Sequence, residues 1–204
     1  MTPSPLLSLA YWPPIDWFAA WIRAGAARLE AHESLQKQSY RNRCRILSTH
    51  GVQELVIPLD RSSEKHIQQI KLSTREDWWR VHWKAIETAY ANAGFYAPFR
   101  DEIASLYLGH RPNTLWEWNL QILAMCTQWL EIEAPMTYTE SFERDYPNDF
   151  RQRIHPKQEP LFPSVPYRQG RVGGRLQPFQ PNMSILDLLF HEGPAAYSVL
   201  LGFS

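Results

Sequence analysis

Short apolar runs separated by turn residues fill the first third of the chain, after which the spacing of apolar positions lengthens to that of helices. Residues 6–12 are a nearly continuous apolar run closed by Pro13-Pro14, which predicts a buried strand, and residues 15–24 predict an apolar helix that stops at Gly25. Residues 27–33 predict a second strand, 42–47 and 52–59 a hairpin around Thr49-His50-Gly51, and 67–72 a further strand. From Ser73 the pattern changes. Ser73 and Glu76 form a capping-box pair, and Trp79, Trp83, Ile86 and Tyr90 recur at helical spacing until Asn92-Ala93-Gly94. A shorter helix over 98–108 follows. Thr114 and Glu117 then open a strongly apolar helix that runs to about residue 132 and ends before Pro135.

Prolines at 147, 156, 160, 163, 166, 178 and 181 loosen residues 135–181, which nevertheless keep Phe, Tyr and Leu. That mixture predicts an ordered loop or lid lying against the domain rather than a free linker. Asn182 or Ser184 can cap a helix over 185–190, with Asp187 placed as its capping acid, and 195–201 predicts a last short helix. The reading is one α/β domain. Its parts are a mixed sheet from residues 1–72, central helices over 73–134 packed against it, the Pro-rich loop or lid over 135–181, and closing helices over 182–204.

Composition narrows what such a domain does. The 204 residues are 44% hydrophobic, enough for a substantial core, and 21 basic residues balance 21 acidic ones, which argues against a nucleic-acid partner or a membrane-surface binder. Only Cys44 and Cys126 occur, and they are not in CxxC spacing. A disulfide framework and a thiolate metal site therefore have no support, and a cytoplasmic setting fits. The first fourteen residues lack a basic start and are cut by Pro13-Pro14, so neither a signal peptide nor membrane insertion is expected. The chain has no HxxxH, HExxH or HxH pair, no GxGxxG, no Walker loop and no GxSxG elbow. No metal is expected, and no cofactor is identified.

Against that neutral background, residues 36–46 (QKQSYRNRCRI) concentrate Lys37, Arg41, Arg43 and Arg45. If extended, the segment places Arg41, Arg43 and Arg45 on one face as a row of forked donors suited to phosphate or carboxylate. The alternative is the solvated outer face of an edge strand. Just upstream, Glu30, His32 and Glu33 sit at the end of the second strand, where open α/β sheets place ligand groups. Glu30 and His32 share a face, and a carboxylate beside an imidazole makes an acid/base pair. His82 borders the apolar face of the first long helix and is a second catalytic candidate, set against a core-edge role. Asn119 interrupts the next helix's apolar face and calls for a backbone partner.

Five blocks together resemble the WbqC-like family, bacterial proteins associated with O-antigen and surface-polysaccharide synthesis. They are YWPPIDWF (from Tyr11), EAHESLQKQSYRNRCRI (from Glu30), HWKAIETAYANAGFY (from His82), RQRIHPK (from Arg151) and NMSILDLLFHEGP (from Asn182). The chain departs from the family pattern at His191, where Asn is usual, and at Gly170-Arg171-Val172-Gly173-Gly174. The resemblance implies a pathway more firmly than a reaction. Taken with the cation-rich block, it leads to the expectation of an enzyme of group transfer on a phosphate-bearing, nucleotide-linked sugar, with an anionic small molecule as partner; a non-catalytic ligand-binding or scaffold protein is the alternative. The expected catalytic residues are Glu30, His32 and His82, and the expected ligand-binding residues are Tyr11, Lys37, Arg41, Asn42, Arg43 and Asn182. On this reading Arg41→Ala and Arg43→Ala leave the fold intact and abolish binding of a sugar nucleotide.

Overall fold

The computed structural model describes residues 3–60, 65–170, 175 and 178–202. Strand β1 (Leu6–Ser8) runs into helix α1 (Ile15–Ala24), which returns the chain to β2 (Ala27–Glu30), parallel to β1 with Leu7 opposite Leu29. Gly25 ends α1 in the left-handed conformation (φ 70°), which a residue without a Cβ adopts cheaply. A third strand, β5 (Met136–Tyr138), joins β2 in parallel on its far side. It lies in the stretch that proline content marked as loop. On the opposite side of β1, Leu6 forms a parallel bridge to Asp149, with Leu6 N donating to Asn148 O at 2.9 Å and Phe150 N to Leu6 O at 2.9 Å. The order across the sheet is thus β5, β2, β1 and the segment at 149, all parallel.

The hairpin of β3 (Arg43–Ser48) and β4 (Gly51–Val56) forms where expected, but as a separate antiparallel pair. Cys44 and Ile46 face inward while Arg43 and Arg45 face outward, so the period-two reading holds from Arg43 onward. Arg41 lies in the turn before the strand and does not share that face. Residues 67–72 give a single 3₁₀ turn (Ile67–Gln69) with isolated bridges rather than a strand.

Helix α2 (Trp78–Tyr90) begins five residues after Ser73, because the hydroxyl of Ser73 accepts from Arg75 N in a local turn instead of capping. α3 (Tyr96–Leu108) and α4 (Leu115–Trp129) follow. The Thr114/Glu117 box does form: Thr114 Oγ1 accepts from Glu117 N at 3.2 Å and Glu117 Oε2 accepts from Thr114 N at 3.2 Å. α5 (Ile185–Glu192) and α6 (Ala196–Leu201) close the chain.

The expected lid is tied down within its second half. Leu161 N donates to Asp16 Oδ2 at 2.7 Å, while Tyr167 OH and Gln169 Nε2 donate to Asp187 Oδ2 at 2.6 and 2.8 Å. Asp187 therefore does not cap α5. Ser184 does so alone, accepting from Leu186 N, and the buried Asp187 carboxylate also takes a hydrogen bond from Tyr90 OH. One continuous core reaches from Leu7 through the central helices to Leu200. Among the described residues no helix is long and apolar enough to cross a membrane.

Candidate functional site

In an open parallel sheet, ligands bind beyond the carboxyl ends of the strands where the connections diverge. Here β1 feeds β2 and then β5 on one side, while the 149 segment flanks β1 on the other, so the divergence lies between Ser8 and residues 149–151. The polar groups at these strand ends form a dense buried network. Arg41 donates through Nε to Glu33 Oε1 at 2.7 Å and through Nη2 to Glu33 Oε2 at 2.5 Å, a forked pair with both partners nearly inaccessible. The hydroxyl of Ser8 accepts from Arg41 Nη2 at 2.6 Å and donates to Glu33 Oε2 at 3.2 Å. Asn119, on α4, fixes the Arg41 backbone by donating from Nδ2 to Arg41 O at 2.8 Å.

A second ion pair lies beside the first. Arg151 donates through Nη1 to Glu30 Oε2 at 2.8 Å and through Nη2 to Asp149 Oδ2 at 2.7 Å, with Phe142 stacked against its guanidinium. Glu30 also accepts from His32 N, Thr139 Oγ1 and Glu143 N. Its two oxygens thus hold four donors at zero exposure. Such a carboxylate orders the strand ends and carries no free lone pair toward His32. The void left in this crevice is about 10 Å³, lined by Ser8, Tyr40, Arg41, Phe150 and Arg151. Nothing larger than a water fits there.

At the mouth of the crevice stands His155, next in sequence to the lining residue Ile154. His155 is half-buried, and its pKa is lowered first by burial and then by the positive charges of Lys157, Arg41 and Arg43. The ring thus lies in the positive field of all three cations. His155 Nδ1 accepts from Lys157 N at 3.2 Å, so in the neutral ring the proton sits on Nε2, a donor available to a ligand. The Lys157 ammonium is exposed and has no partner among the described residues. Arg43 spends Nη1 on Glu54, at 3.0 Å, and its buried Nε has no hydrogen-bond partner. Lys37 is exposed and likewise unpaired among the described residues.

The other expected site residues lie elsewhere. His82 belongs to a buried chain of hydrogen bonds from Trp12 Nε1 to Tyr107 OH (2.8 Å), to Tyr11 OH, to His82 Nδ1 (2.8 Å). Burial lowers the His82 pKa to about 4 and raises those of Tyr11 and Tyr107, so all four groups are neutral near pH 7. Tyr11 is wholly buried, and neither it nor His82 contacts the Glu30 network. Asn42 closes the hairpin, donating from Nδ2 to Ile57 O. Asn182, in the left-handed region (φ 51°), accepts from Asp16 N through Oδ1 and so caps α1, not α5. His32 is half-buried at the end of β2, its ring 5.8 Å from that of His66 and without a side-chain hydrogen bond among the described residues.

Sequence reasoning singled out neither Ser8, Arg151, Thr139 nor Lys157. The signal was present in RQRIHPK, where three cations and a histidine alternate within seven residues. Among the described residues no cluster of His, Cys, Asp and Glu could hold a metal ion. Residues 171–174, where the chain departs from the family pattern, lie outside the described residues; His191, the other departure, donates from Nδ1 to Asp187 O at 2.7 Å.

A curated relative from Mycobacterium tuberculosis (strain ATCC 25618 / H37Rv), "Uncharacterized protein Rv1507c", is 29% identical over 109 residues, 52% of this chain and 47% of that protein. The chain thus spans about half the length of the relative. No solved structure matches. The sequence matches the WbqC-like protein family over residues 10–157, a span that ends at Lys157 and holds every group of the strand-end network and its mouth except Ser8. The chain belongs to the WbqC-like protein family.

Proposed function

We propose that the protein works in the cytoplasm as a group-transfer enzyme on a phosphate-bearing, nucleotide-linked sugar in surface-polysaccharide synthesis, and holds the phosphate at the mouth of the strand-end crevice. The observation that supports the reading is a set of buried, satisfied ion pairs at the strand ends, with His155, which follows the crevice residue Ile154, in the positive field of Arg43 and Lys157. The floor is rigid and electrically spent. The mouth keeps cationic groups that need an anion. His32 is assigned as the base that takes a proton from the acceptor, and the charge left on the departing phosphate falls on Arg43 and Lys157. Arg41 and Glu30, saturated inside, act as positioning residues.

A second reading has its own support. Glu30, His32 and His82 do not converge as a catalytic set, because Glu30 is saturated and His82 sits in a separate buried chain. That arrangement favours a protein which binds the same ligand without transforming it. One titration series addresses both. UDP-glucose, GDP-mannose, dTDP-glucose and pyrophosphate are titrated by calorimetry into the wild type, Arg43→Ala/Lys157→Ala and His32→Ala. Binding by the wild type that is lost in the double variant supports the phosphate site. No binding of any probe, or equal binding by the double variant, removes it. Turnover that persists in His32→Ala removes the base assignment.

A further inference from the structure

We propose a second ligand site, a cleft for a carboxylated sugar ring, between the start of α2 and the loop joining α3 to α4. The cleft has a volume of about 310 Å³ and is lined by Ser73, Thr74, Trp78, Trp79, Arg111 and Asn113, among others. Small-molecule sites begin at about 300 Å³, so it is large enough for one ring. It shares no residue with the phosphate site, and neither reading depends on the other.

The feature that calls for an anion is Arg111. Its guanidinium carbon lies 3.8 Å from the centroid of the Trp79 ring, close enough for the plane of the group to be held by cation–π attraction. It makes no ion pair and no hydrogen bond among the described residues, although it is only partly exposed. Among the described residues, every other arginine at a ring face except Arg153 has a hydrogen-bond or ion-pair partner: Arg23 at Leu200 O, Arg28 at Glu143, Arg100 at Glu87, and Arg151 at Glu30. Stacking occupies the face of the guanidinium and leaves its edge, with five in-plane donors, for a planar carboxylate. The loop that carries Arg111 is fixed by its backbone, with Leu72 N donating to Asn113 O at 3.0 Å and Leu115 N to Ile70 O at 2.8 Å. The cation is therefore positioned before a ligand arrives, which lowers the entropy lost on binding.

The remaining walls select a sugar. The half-buried indole of Trp79 offers apolar surface beside the Arg111 guanidinium for the C–H face of a pyranose, the buried Trp78 closes the wall behind it, and the hydroxyl of Thr74 and the amide of Asn113 suit the sugar's hydroxyl groups. One guanidinium balances one carboxylate charge, which favours a uronic acid over a doubly charged phosphate.

The test is an NMR titration of the full chain with methyl α-D-glucuronide and methyl α-D-glucoside, read on the indole N–H resonances. The wild type should show saturable shifts with the glucuronide at a Kd on the order of millimolar. The glucoside should bind at least tenfold more weakly. Arg111→Ala should lose glucuronide binding, and Arg111→Lys, which keeps the charge without the planar fork, should weaken it severalfold. Absence of saturation in the wild type, equal binding of both sugars, or unchanged affinity in Arg111→Ala would overturn the proposal.

Discussion

Replacing Arg41 by alanine should cost stability before it costs any ligand. The sequence places this residue in an exposed row of donors, where truncation leaves the fold intact; the structure places it 2% exposed in a forked pair with Glu33, itself 3% exposed. Solvent does not screen such a pair, so the discount that applies to surface salt bridges is absent. Arg41→Ala strands the Glu33 carboxylate with the hydroxyl of Ser8 as its remaining donor. An uncompensated buried charge of this kind costs about 3–5 kcal/mol. For a chain of this length each kcal/mol moves Tm by about 2–4 °C, so the melting point should fall by roughly 6–20 °C. Arg41→Met combined with Glu33→Leu should recover most of the loss, because apolar replacement removes both desolvation costs together. Urea unfolding and thermal melts, both followed by far-UV circular dichroism, give the values. A loss below about 1 kcal/mol in Arg41→Ala, or a double variant whose loss equals the sum of the two single losses, would refute the account of a buried and mutually dependent pair.

His82, whose pKa falls to about 4 in the fold against 6.5 in the free side chain, binds a proton more readily when unfolded. Its contribution is present above pH 6.5 and lost as the pH falls toward 4, roughly 3 kcal/mol in all, and in His82→Gln that part of the pH dependence of unfolding should vanish. Thr114→Ala, which removes one half of the capping box of α4, should lower stability by about 1 kcal/mol in thermal melts. Glu131 sits past the end of α4 with φ 51°, a conformation that disfavours a side chain, so Glu131→Gly should raise the melting point slightly; a fall would show that the carboxylate makes a contribution of its own.

The parts of the fold that were legible in the sequence are those whose determinants are local. Residues 6–12, 15–24 and 42–59 carry their own apolar period and turn signals, and the strand, helix and hairpin formed there. The two capping boxes looked equivalent, yet only Thr114/Glu117 closed. Ser73 instead completes a turn that receives the Trp78 indole, with Nε1 donating to Ser73 O at 3.1 Å, a tertiary demand that the local spacing does not record. β5 was missed for a related reason. Its three residues, Met136–Tyr138, carry too little period to be read, and they become a strand because β2 offers an unpaired edge.

The site was obscured by a property of charge itself. A count of 21 against 21 says nothing about which charges meet, and the fold spends its ions unevenly. Arg41 is cancelled by Glu33, Arg151 by Glu30 and Asp149, and Arg43 is half-cancelled by Glu54. Sequence clustering singled out Arg41 because it stands among other cations, whereas its acidic partner lies eight residues upstream, in the loop after β2. The positive character at the strand ends is what this pairing leaves over, and it falls on Lys157, on the free edge of Arg43 and on the His155 N–H. Arg43 lies more than a hundred positions from His155 and Lys157, which follow the 149 segment that pairs with β1. The anion site proposed above, built from such a remainder, is invisible to composition. It becomes legible once the pairings are known, and its test is accordingly a variant of Lys157 and Arg43 rather than of the arginine that the sequence made most prominent.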